Sequence, residues 1–226
     1  EQFEFQAGPI FASVVLADEI NRASPKTQSA LLEVMEEGFV TIGNVRQPAG
    51  NPFLVIATQN PIEQAGTNPL PEAQMDRFMI KTAIGYTDSA STVQILQGTA
   101  EVAKVLKAVA KGDDVLKMSA ISRAVHTNAS VLRYIVDIVE ETRRAQQVQF
   151  GSSVRGARNL TKLAKTWAIA QGRNYITPDD VKFLAGPVLA HRIVLTTDAE
   201  FDGVRPEQII LECIDRIKAP TGDYTA

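Results

Sequence analysis

Two adjacent carboxylates, Asp18 and Glu19, close an uninterrupted apolar run from Val14 to Ala17. Such a run ending in charge predicts a buried strand with acids at its C-terminal tip. Ligands of open α/β sheets bind beyond the carboxyl ends of the strands. One acid there can hold Mg²⁺, directly or through its water, while the other polarises an attacking water, the division of labour that phosphoryl transfer requires. An ordinary solvated strand end presents the same pair, so the acids alone do not carry the assignment. A second apolar run, Phe53 to Ala57, ends in Thr58, Gln59 and Asn60. If both runs lie in one parallel sheet, Asn60 emerges on the same edge as Asp18 and Glu19. Its amide can hydrogen-bond a water or a phosphate oxygen without neutralising the site. The competing reading of Asn60 is a turn residue before Pro61.

The elements that must position these residues alternate in type. Ser24 and Pro25 form an N-cap and first-turn pair, and Ala30, Leu31, Val34 and Met35 recur at helical spacing until Gly38, which predicts a helix over Pro25 to Glu37. Gly43 and Asn44 mark a hairpin turn within Val40 to Val45, and Pro61 to Pro71 reads as a proline-rich loop. Up to about Ile84 this is the pattern of an α/β unit.

After Thr87 helical periodicity takes over, which predicts a second, all-α domain. One stripe comprises Val131, Ile135, Ile138 and Val139; another comprises Ala157, Leu160, Leu163, Ala164, Trp167 and Ala168. Thr177 and Pro178 open a further helix with Asp179 and Asp180 in its first turn. Ala219 to Ala226 reads as a short, frayed polar tail. Trp167 is expected in the core, His126 and His191 in structural or surface roles, and Arg133, Arg143 and Arg144 in ion pairs with neighbouring acids.

Composition narrows the classes. The chain has 226 residues, 45% hydrophobic, with 23 basic and 26 acidic side chains and a formal net charge of −3. It is long enough to bury a core without staples, and its charge offers no electrostatic footprint for nucleic acid. The single cysteine, Cys213, cannot form an internal bridge; with two histidines, disulfide and zinc scaffolds are disfavoured and a cytoplasmic location is expected. No apolar stretch is long enough to span a bilayer. The chain starts at Glu1 and its first methionine is Met35, so the expectation is that it describes part of a functional unit.

Five blocks now carry a resemblance: Gly8-Pro9-Ile10-Phe11, Leu16-Ala17-Asp18-Glu19-Ile20-Asn21-Arg22, Lys26-Thr27-Gln28-Ser29-Ala30-Leu31-Leu32, Ile56-Ala57-Thr58-Gln59-Asn60-Pro61 and Pro69-Leu70-Pro71-Glu72-Ala73-Gln74-Met75-Asp76-Arg77-Phe78. In order and spacing they resemble the MoxR-type AAA+ ATPases, and the similarity runs to about Lys218. The resemblance implies a partial P-loop NTPase core over 1–86 followed by a helical lid over 87–218, with 219–226 as a tail. It makes Asp18 and Glu19 the Walker B acids, with Asp18 at Mg²⁺ and Glu19 catalytic. It makes Asn60 sensor 1 and Arg77 the arginine finger offered to a neighbouring subunit. Gly151 to Arg155 resembles the sensor 2 block and makes Arg155 its arginine, although Ser152 and Val154 stand where the family has Ala and Pro.

The 226 residues contain no G-x-x-x-x-G-K-[ST] phosphate loop. In the family that loop precedes the Walker B strand, and its strand would lie beside the run near Met79 to Ile84. The expectation is that this chain alone is inactive. The complete protein is expected to hydrolyse ATP with Mg²⁺ in a homo-oligomeric, hexameric ring that remodels or matures client proteins, including ones with a von Willebrand factor A-type domain. Two alternatives stand: a non-hydrolysing interaction module, and an AAA+ relative serving metal insertion or transcription activation.

Overall fold

In a computed structural model of the chain, the structure describes residues 5–60, 66–99 and 106–225. The first elements in chain order are β1 (Val14–Ala17), α1 (Pro25–Glu37), β2 (Phe39–Ile42), β3 (Val45–Pro48), β4 (Leu54–Ala57) and α2 (Glu72–Met75). The helical part holds α3 (Ser89–Leu96), α4 (Gly112–Ala124), α5 (Ala129–Arg144), β5 (Val148–Phe150), α6 (Val154–Ala170), α7 (Pro178–Leu189), β6 (Val194–Leu195), α8 (Thr197–Phe201) and α9 (Pro206–Arg216).

Helix α1 has the expected bounds for local reasons. Ser24 Oγ accepts the Thr27 N–H at 3.2 Å, Pro25 fills the first turn, and Gly38 ends the helix at φ 72°. The hairpin β2–β3 pairs Ile42 with Val45 around Gly43 and Asn44. Strands β1 and β4 are parallel neighbours, in register from Val14 opposite Leu54 to Ala17 opposite Ala57.

The expectation of a buried β1 needs correction. Val14, Leu16, Leu54 and Ile56 share one sheet face, and Leu16 is 64% exposed. An apolar run becomes a buried strand only when both faces are covered; among the described residues β1 has β4 as its one strand neighbour. The run near Met79 to Ile84 forms no strand, and residues 80–88 carry no regular secondary structure. Of the expected loop from Pro61, residues 61–65 lie outside the described residues.

The larger core lies in the helical part, where Tyr134, Ile138, Leu160, Val181, Leu189 and Ile210 pack together. Asp180 completes a capping box with Thr177 at the start of α7. Trp167 packs against this core and stacks on Phe183 at 4.8 Å. A short antiparallel ladder, Val148 opposite Leu195 and Phe150 opposite Val194, is set among the helices. The tail is not frayed throughout: Tyr224 packs on the core and its hydroxyl donates to Pro220 O.

Candidate functional site

Because β1 and β4 run parallel and in register, their chain ends lie side by side. The ladder continues past both strands through Thr58 N–H to Ala17 O at 3.1 Å and Ile20 N–H to Thr58 O at 3.0 Å. Thr58 therefore stands next to the acid pair. Its Oγ1 donates to Asp18 Oδ1 and accepts the Glu19 N–H at 2.9 Å. Asn60 follows two residues later in the chain, beyond the end of β4.

Glu19 adopts φ 48° and ψ 50°, the left-handed region. It is the one non-glycine residue with positive φ among the described residues. Such a conformation costs about 1–3 kcal/mol and persists where surrounding bonds hold it, often at functional sites. The Thr58 hydroxyl on its N–H is such a bond, and the Glu19 carboxylate meets Arg22 Nε at 2.9 Å. Gln28, buried on α1, locks the next turn by donating from Nε2 to Ile20 O at 3.1 Å, Ala23 O at 3.3 Å and Asn68 O at 2.8 Å. The acid tip is thus fixed from β4 and from the first turn of α1.

A second constellation joins the two halves of the chain. Glu36, eight residues beyond Gln28 and so about 12 Å further along α1, lies 3.5 Å from Arg77 Nη1 and accepts from Arg155 Nη2 at 2.6 Å. Arg155 Nη1 meets Asp76 Oδ2 at 3.1 Å, and the other Asp76 oxygen is held by Arg192. A cavity of about 290 Å³ bordered by Ser29, Glu33, Glu36, Gln74 and Arg77 opens beside this cluster rather than beside Asp18 and Glu19.

Arg155 is placed by its own helix start. Ser153 caps α6 by accepting the Arg155 N–H at 3.2 Å, which does the work of the absent proline. The preceding loop is pressed on α5: Ser152 N–H donates to Thr142 Oγ1 at 3.0 Å, and Arg143 Nε donates to Ser152 O at 2.9 Å. A Cβ at Gly151 would come within 2.7 Å of the Arg143 backbone, so only glycine fits there.

Asp18 and Glu19 are therefore brought to the end of β4, three residues before Asn60, while Arg77 and Arg155 are brought to each other through Glu36. The hydroxyl role of Thr58 and the carboxylate roles of Glu36 and Asp76 were not foreseen. For Thr58 a signal existed: in a parallel pair that aligns Ala17 with Ala57, the next residues, Asp18 and Thr58, must adjoin. Asp76 and Arg192 are separated by 116 residues, and no local pattern links them.

The chemistry of the donor set bears on the metal. Among the described residues no three His, Cys, Asp or Glu side chains converge. Mg²⁺ suits such a site, because it commonly binds one or two carboxylates and completes its shell with water and substrate phosphates.

Residues 1–80 match the family described as "ATPase family associated with various cellular activities (AAA)", and residues 140–213 match the AAA lid domain. The chain is 43% identical over 221 residues to the YeaC protein of Bacillus subtilis, covering 97% of this chain and 69% of that one. It is 39% identical over 229 residues to chaperone MoxR1 of Mycobacterium tuberculosis, covering 97% of this chain and 61% of that protein. A crystal structure of a Cytophaga hutchinsonii protein superposes with a TM-score of 0.89 at 38% identity, covering 96% of this chain and 69% of that one. The strand-end acids, the helical lid and these relatives lead to one conclusion: the chain belongs to the MoxR-type AAA+ ATPase family.

Proposed function

We propose that these residues form part of an ATP-hydrolysing ring subunit that remodels client proteins in the cytoplasm. The observation that carries the reading is the Thr58 hydroxyl, which binds the Asp18 carboxylate and the Glu19 N–H together at the parallel strand ends. Asp18 would hold Mg²⁺, which supplies charge neutralisation on the phosphates when bound. Glu19 takes a proton from the attacking water, with its backbone held in the left-handed conformation and its carboxylate steered by Arg22. Asn60 orients that water or a phosphate oxygen through its amide. Arg77 leaves Glu36 to reach a neighbouring subunit's phosphates, and an arginine finger is worth roughly 10³–10⁵ in rate. The weak 3.5 Å contact, to a partly exposed Glu36, suits a side chain that must change partners.

The test uses the full-length protein. Glu19→Gln is expected to keep nucleotide binding and lose hydrolysis; equal hydrolysis in variant and wild type would refute the assignment. Mixing Arg77→Ala subunits with Glu19→Gln subunits is expected to restore hydrolysis, because some interfaces then pair an intact acid with an intact finger. Mixtures no more active than either variant alone would rule out a finger acting between subunits. The 226-residue chain by itself, lacking a phosphate loop, is expected to give no saturable Mg·ATP binding in calorimetry.

A further inference from the structure

One lid side chain grips the backbone on both sides of Arg77. Arg192 lies in the 3-10 turn Ala190–Arg192, and 1% of its side chain is exposed. Its Nη1 donates to Asp76 O at 2.6 Å and its Nη2 donates to Phe78 O, the carbonyls immediately before and after Arg77. Nη1 also meets the Asp76 carboxylate, and Nε is anchored on Val188 O at 2.7 Å. Two neighbours reinforce the grip. The His191 ring bonds Phe78 O through Nε2 at 3.1 Å, and Lys81 N–H donates to Pro187 O at 3.0 Å.

A guanidinium is a planar, rigid fork whose donors act as one unit. When such a fork binds the carbonyls flanking one residue, that residue can neither slide nor rotate without breaking buried, charge-assisted hydrogen bonds. Burying a charge is costly unless it is paired and hydrogen-bonded. Arg192 meets that requirement by spending two of its nitrogens on the carbonyls at Arg77. Arg77's own side chain, by contrast, has a long contact to Glu36 and partial exposure. The backbone is fixed and the side chain is left able to move.

We infer that Arg192 is a positioning residue for Arg77, so that the lid sets where the finger is presented. The inference rests on the reading of Arg77 as the finger. It adds a residue from the far end of the chain to the hydrolytic machinery of the neighbouring site, one that touches no nucleotide itself.

The experiment is a double-mutant cycle on ATP hydrolysis by the full-length protein. Arg192→Lys keeps the charge but cannot bracket two carbonyls, and a misplacement of about 1 Å can cost roughly a hundredfold in rate. The expected result is a ten- to hundredfold loss of kcat with KM for ATP within about twofold of wild type. In an Arg77→Ala background the same substitution is expected to cause no further loss. Arg192→Lys subunits are also expected to regain hydrolysis when mixed with Glu19→Gln subunits, a rescue that a merely unfolded subunit would not show. Should Arg192→Lys fail to fold by thermal melting, His191→Ala replaces it, with a smaller kcat loss that again vanishes when Arg77 is alanine. An unchanged kcat beside a large Arg77→Ala loss overturns this inference alone, as do losses that multiply in the double mutant. An Arg77→Ala variant with normal kcat overturns the finger reading first and the inference with it.

Discussion

Arg155, in the first turn of α6, and Asp76, the residue before Arg77, meet at 3.1 Å across 79 residues of sequence. The contact joins the lid to the core at the segment that carries the proposed finger, and Glu36 joins both arginines from α1. Arg155 is 41% exposed, so its ion pairs add little to stability. Their value lies in geometry.

Arg155→Ala is accordingly expected to change unfolding free energy by less than about 1 kcal/mol while loosening the lid. Labels on core and lid of the full-length protein would report the distance with and without ATP. The nucleotide-dependent change is expected to shrink or vanish in the variant. If it persists at full size, the lid is coupled through other residues.

Thr58→Val removes the hydroxyl that bridges Asp18 and Glu19 and keeps the side-chain volume. Hydrolysis is expected to fall about ten- to a hundredfold through misplacement of both acids, and Thr58→Ser is expected to recover most of it. A valine variant with wild-type kcat would show that the acids need no such bridge.

Asp180 lies 4% exposed in the lid and accepts from Arg173 at 2.6 and 2.8 Å and from Thr177 N–H at 2.8 Å. Burial pushes its pKa up, but the Arg173 and Thr177 bonds prevail and hold it below the usual 3.8. The folded value lies below the unfolded one, so the stabilisation is complete above the ordinary carboxylate range and is lost as pH falls through the folded value. Asp180→Ala strands Arg173 and leaves the Thr177 N–H without its carboxylate acceptor, with an expected cost of about 3–5 kcal/mol in denaturant unfolding near neutral pH. A loss below about 1 kcal/mol would mean that the pair is no better than a surface contact.

His191 gives a pH dependence of a different window. Burial lowers its pKa below 6.5, the Phe78 carbonyl and Asp76 oppose the shift, and Arg192 and Lys81 add to it. With Nε2 donating to Phe78 O, Nδ1 is a buried acceptor without a hydrogen-bond partner among the described residues, and a proton there would be a buried charge. The unfolded chain therefore binds the proton more readily. The stabilisation is present above about 6.5 and lost as pH falls toward the depressed folded value. Urea unfolding across that range is expected to show stability declining with acidity, with a shallower decline in His191→Gln. Parallel profiles would assign the slope to other groups.

The elements that could be read before any coordinates are those whose cause is local. Ser24, Pro25 and Gly38 delimit α1 through caps that need no tertiary partner, and Gly43 with Asn44 sets the β2–β3 turn. The exposure of Leu16 could not be read, because an apolar run says nothing about which faces are covered. The β5–β6 ladder is too short to show a period. Asp18, Glu19 and Asn60 were legible as strand-end chemistry, whereas Arg77 and Arg155 were legible only through family pattern. The role of Arg192 has no local signature, since it depends on a carbonyl pair more than a hundred residues away.

Position 156 shows how narrow the tolerance around this junction is. An added Cβ at Gly156 would overlap Ser152 Oγ, reach Leu189 Cδ2 at 3.1 Å and press on Arg192 Cδ at 3.3 Å. Ser152 is wholly buried and cannot swing into solvent. One methyl group would therefore push on the loop that starts α6 and on the stem of Arg192 at once. In a survey of random substitutions, this small, chemically inert residue would score as sensitively as an active-site side chain, although it has no side chain with which to make a bond.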